Sequence, residues 1–88
     1  METIKITKSL GDSFQLQDWF VRYTIEGWGN PAGEVYDLKN GHFLALVNSA
    51  STGYSRKVFR TSREASRWVE NSLRKQFPAH TVEFAISL

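Results

Sequence analysis

Seven basic side chains fall between positions 54 and 77: Arg56, Lys57, Arg60, Arg63, Arg67, Arg74 and Lys75. Only Glu64 and Glu70 oppose them there, so this stretch carries +5 in a chain of net charge +2. Residues 1–53 carry −2. Guanidinium and ammonium groups at this density bind phosphate, and clusters of them supply much of a protein's affinity for a nucleic-acid backbone. If the segment from position 62 is helical, Arg63, Arg67, Asn71 and Arg74 lie close together on one face, with Lys75 beside them. Arg56 and Arg60 share one side of the strand before it. The candidate nucleic-acid contacts are therefore Arg56, Lys57, Arg60, Arg63, Arg67 and Arg74. An ordinary solvated helix face fits the same pattern, because Glu64 can pair with Arg67 at i+3 and Glu70 with Arg74 at i+4.

A second group of residues suits a protein partner. Trp28 sits in the loop Gly-Trp-Gly-Asn-Pro-Ala-Gly at 27–33, and Tyr36 follows closely. Aromatic side chains displayed on loops anchor partners or stack on bases. Trp28 folded back over the core is the competing reading, since a small domain gains most by burying its rings. Arg22 lies on one face of a strand with apolar groups on both faces, so that face could meet a partner or a second copy. Trp28, Tyr36 and Arg22 are the candidate partner contacts.

Catalysis finds little support. His42 and His80 are the only histidines and there is no cysteine, so no convergent metal-ligand spacing exists. Gly27-Trp28-Gly29 opens a proline-containing loop rather than a helix, unlike a dinucleotide fingerprint. No nucleophile elbow or phosphate loop is present. The expectation is a non-enzymatic chain with no catalytic residue, metal or cofactor.

The elements that must position these groups follow from periodicity. Ile4 and Ile6 alternate with Thr3, Lys5 and Thr7, giving a first strand over 2–8. A long second strand runs from about Phe14 to Glu26, with a bulge near Gln17-Asp18 reconciling its two parities. Residues 35–38 and 42–47 flank Lys39-Asn40-Gly41, which reads as a hairpin with a type I′ turn at Asn-Gly. Residues 54–60 form another strand. Thr61-Ser62-Arg63-Glu64 fits a capping box. Ala65, Trp68, Val69, Leu73 and Phe77 then recur at helical spacing, and Pro78 stops the helix. Val82, Phe84, Ile86 and Leu88 alternate as a last strand. The predicted fold is α+β: a mostly antiparallel sheet of five or six strands with one C-terminal amphipathic helix at 62–77 packed on one face, in the order β-β-β-β-β-α-β.

The 88 residues are expected to form a single domain, 1–88, whose 14% aromatic content suits a small core. The N-terminus lacks the basic and apolar regions of a signal peptide, and no run reaches the ~20 apolar residues of a membrane span. A cytoplasmic address without membrane contact is the expectation.

Residues 41–77 resemble the β-β-β-α DNA-binding modules of the AP2-like and integrase arm-type families. Phe59-x-Thr61-x-x-Glu64-Ala65-x-x-Trp68 carries most of the likeness. In those families a three-stranded sheet enters the major groove and the helix packs behind it. The resemblance implies sheet contacts from Arg56, Lys57 and Arg60, with the basic helix face turned away from the duplex. The candidate partners are thus a nucleic acid, a protein, or a second copy of the chain.

Overall fold

Alternating residues turn Ile4, Ile6, Lys8 and Leu10 to one side of β1 (Thr3–Leu10) and Thr3, Lys5, Thr7 and Ser9 to the other. The computed structural model describes residues 2–11, 19–49 and 53–87. Within it, β1 pairs antiparallel with β2 (Trp19–Ile25), which pairs with β3 (Gly33–Asp37). Then follow β4 (Phe43–Ser49) and β5 (Gly53–Phe59), each antiparallel to its predecessor. After the helix α1 (Ser62–Gln76), β6 (Thr81–Ser87) returns to the far edge and pairs parallel with β1. The sheet order is β5-β4-β3-β2-β1-β6. The α+β class and the six-strand count agree with the sequence pattern. The sheet is mixed rather than purely antiparallel, because the chain crosses over through α1 before β6.

The long second strand is described only from Trp19. Its expected beginning at Phe14, the Gly11-Asp12-Ser13 turn and the bulge near Gln17-Asp18 lie wholly or partly outside the described residues. A register shift does occur between Trp19 and Val21, so Phe20 is the extra residue of the ladder. Phe20 consequently joins Val21 on the helix side, where its ring meets Phe43 edge-on with centroids 5.7 Å apart. The β3–β4 turn also differs from expectation. Positive φ falls on Lys39 (63°) and Gly41 (85°), not on Asn40 and Gly41 as a type I′ turn requires. Asp37 Oδ1 accepts from the Lys39 amide at 2.8 Å and Asn40 Oδ1 accepts from the His42 amide at 3.1 Å. These side-chain turns wrap a longer loop, closed where the Leu38 amide donates to the His42 carbonyl at 3.0 Å.

Helix α1 starts where Thr61 Oγ1 accepts from the Glu64 amide at 3.1 Å. Its acidic first turn and basic last turn, Glu64 against Arg74 and Lys75, oppose the helix dipole favourably. Phe77 is the C-cap, so the helix ends one residue before the expected boundary. A Thr61→Ala variant should lose about 1 kcal/mol through the missing cap acceptor. Urea titration would read this as a lower midpoint with an unchanged slope.

Ala65, Val69 and Leu73 are fully buried and lie mainly over β3, β4 and β5. They meet Ile6, Val21, Tyr23, Val35, Ala45 and Val47 from the sheet. Trp68 packs on Phe59 and Trp28 on Phe77, closing the two flanks of the helix. Since the helix sits off-centre, the helix-side surface of β2, β1 and β6 is only partly roofed.

Candidate functional site

Residues spaced three and four apart along α1 turn Ser62, Ser66 and Glu70 toward the uncovered strands, with Arg63, Arg67 and Arg74 just above them. Together with Lys8, Leu10, Phe20 and Val21 they line an open groove of about 520 Å³. The helix supplies one wall and its charge, while β1 and β2 supply an apolar floor.

Charge pairing within this groove departs from the local helix pattern. Neither Glu64–Arg67 nor Glu70–Arg74 forms an ion pair. Instead Glu70 turns down to the sheet, where its Oε2 accepts from the Tyr23 hydroxyl at 2.7 Å and from Lys8 Nζ at 3.1 Å. Among the described residues, Glu70 is the one carboxylate lining the groove, and a strand lysine neutralises it. Arg74 donates to Asn71 Oδ1 at 3.2 Å and holds its guanidinium 5.0 Å from the Phe84 ring centre. Arg63 and Arg67 are exposed and make no hydrogen bond or ion pair among the described residues.

Burial, then the hydrogen bond to Glu70 and its negative charge, hold the Tyr23 hydroxyl protonated well above the usual tyrosine value of 10.0. In the unfolded chain that hydroxyl ionises near pH 10. A raised folded pKa means the stability it contributes is whole below about pH 10 and is lost as the pH climbs from there toward the folded value. Tyr23→Phe removes this linkage, so its stability should fall less steeply above about pH 10 than that of the parent. Thermal melts through the alkaline range check the difference in slope.

The opposite face of the sheet gathers a different set. Arg22 donates from Nε and Nη2 to Glu34 Oε2 at 3.1 and 2.9 Å, and the Tyr36 hydroxyl donates to the same oxygen at 2.8 Å. Two of the three candidate partner contacts, Arg22 and Tyr36, are thus joined through Glu34. Trp28 does not join them. It is half-buried against the core and Phe77, because its loop folds back toward the end of α1. Beside Tyr36 the face turns apolar, with Leu44 and Leu46 followed by Val58 and Tyr54, which are 50% and 60% exposed.

The six basic candidates separate into distinct places. Arg56 pairs across the ladder with Leu46 and shares its face, away from the helix. Lys57 points to the helix side and lies over the ring of nearby Phe59, at 5.5 Å. Arg60 is exposed in the bend between β5 and α1. Only Arg63, Arg67 and Arg74 converge on one cavity. Lys8, Leu10 and Phe20 complete that cavity, and the basic-cluster pattern does not point to them. Lys8 has a signal of its own, since its parity with Ile4 and Ile6 places a charge on the buried side of β1.

Among the described residues, no group of three His, Asp or Glu side chains could hold a metal ion, and no helix is long and apolar enough to cross a membrane. No family model, curated protein or solved structure matches the chain.

Proposed function

We propose that this chain is a non-catalytic nucleic-acid-binding domain, with DNA as the first candidate, and that the groove beside α1 makes the contact. One observation carries the reading: Arg63 and Arg67 stand unpaired on the rim, among the described residues, while Lys8 neutralises the carboxylate beneath them. Phosphate oxygens are the ligands that two adjacent unpaired guanidinium groups favour most. The resemblance to β-β-β-α modules would instead send the outer face of β3, β4 and β5 into a major groove. That face offers Arg56 among apolar side chains and a Glu34 already engaged, which favours the helix groove for phosphate. A cytoplasmic setting belongs to the same reading.

The test is an electrophoretic mobility shift with a mixed-sequence oligonucleotide at low and at physiological salt. Binding should fall steeply with salt. An Arg56→Glu/Arg60→Glu variant should shift the probe nearly as the parent does, and loss of binding in that variant would return the contact to the sheet. Equal migration of free and mixed probe at low salt would end the nucleic-acid reading.

A second reading has its own support. The apolar outer surface formed by Tyr36, Leu44, Leu46, Tyr54 and Val58 suits a protein partner or a second copy. Sedimentation across a concentration series addresses the dimer form directly. A strict monomer at high concentration would leave this face to a different protein.

A further inference from the structure

The shape of the groove says more about its ligand than its charge does. We infer that it takes an unpaired nucleic-acid strand, with a base laid against Phe20 and the flanking phosphates held by Arg63 and Arg67; this rests on the nucleic-acid reading above. The register shift between Trp19 and Val21 brings Phe20 onto the floor, where it stays 41% exposed. Contact with Phe43 fixes its ring. Leu10, also on the floor, is 52% exposed.

A duplex has no use for such a floor, because its base faces are already stacked and it presents only phosphates and base edges. An unpaired base presents an apolar face, and aromatic side chains bind it with little regard to sequence. The scale agrees as well: about 520 Å³ in an open cleft is room for a nucleotide or two, whereas a duplex is a convex rod. Arg63 and Arg67 are one helical turn apart, about 6 Å along the axis. That spacing suits consecutive phosphates of an extended strand running along the helix. Ser62 and Ser66 also line the groove, and Ser66 is hydrogen-bonded to the Tyr23 hydroxyl.

The test is fluorescence anisotropy with the whole protein and four probes, at one fixed salt concentration. They are a single strand of about 12 nucleotides, its duplex, an abasic strand of equal length, and an oligo-glutamate of equal charge. The intact strand should bind at least about tenfold more tightly than the duplex and the abasic strand. Phe20→Ala should lose a similar factor on the intact strand and nothing on the abasic one. Phe20→Leu, which keeps the apolar bulk, should behave likewise and guards against a folding defect. A duplex that binds as well as the strand, or Phe20 variants that match the parent, would overturn the inference and leave nucleic-acid binding standing. Oligo-glutamate binding as tightly as the strand, or no binding of either nucleic acid, would overturn both.

Discussion

An Arg63→Glu/Arg67→Glu double variant should bind nucleic acid about a hundredfold or more weakly than the parent, while melting at nearly the same temperature. Each hydrogen bond between charged groups is worth roughly 1.5–3 kcal/mol, and removing two of them already exceeds the ~2.8 kcal/mol of a hundredfold change. Reversed charges add repulsion from the same phosphates. The salt dependence should flatten too, by about 0.7 in the logarithmic slope for each phosphate of a single strand that the variant no longer neutralises. Stability should hold because neither side chain has a partner to lose among the described residues. A glutamate at position 63 even falls in the first turn of α1, where negative charge is favoured by a few tenths of a kcal/mol. Parallel anisotropy titrations and thermal melts separate the two effects.

Gly33→Ala should cost about 1–3 kcal/mol of stability. A Cβ at this position of β3 would stand 2.5 Å from Val69 Cγ1 and 3.3 Å from the Leu46 carbonyl oxygen. Val69 is fully buried on α1, and a β-branched side chain in a helix has essentially one rotamer available. The helix must therefore lift off the sheet or the valine must leave its rotamer well. Typical domains have only roughly 5–15 kcal/mol to lose, so the change is a large fraction of the total. Trimming Val69 to alanine in the same chain makes room for the methyl group. The Gly33→Ala/Val69→Ala pair should then be less destabilised than the two single costs combined, with a coupling of about 0.5–3 kcal/mol. Urea midpoints of the four proteins close the cycle.

The helix is legible in detail because its signals are local: the Thr61 cap, the Ala65/Val69/Leu73 stripe and Pro78 all lie within a few residues of what they determine. Strand faces are readable from alternation too, except at Phe20, which the register shift between Trp19 and Val21 turns to the helix side. Neighbour relations are not. Nothing in the pattern of 81–88 tells that β6 pairs parallel with β1 rather than with β5, because alternation specifies which side faces in and not which strand lies alongside. The β3–β4 loop escapes for another reason, since Asp37 and Asn40 bond nearby backbone amides and outcompete the Asn-Gly turn. At the groove, the i+4 rule points Glu70 at Arg74, a weak exposed pair worth a few tenths of a kcal/mol. A lysine 62 positions earlier and a buried tyrosine hydroxyl offer the carboxylate better partners. That long-range exchange takes Glu70 away from Arg74, and no local rule contains it.

The location of the contact is most directly tested by backbone amide shifts in an NMR titration of the whole protein with an unlabelled single strand. The expected shifts cluster at Lys8, Leu10, Phe20 and Val21 and along the groove-lining turns of α1, Ser62 to Arg74. Shifts confined to Leu44, Leu46, Tyr54 and Arg56, with α1 unmoved, would contradict the groove and place the contact on the opposite face of the sheet.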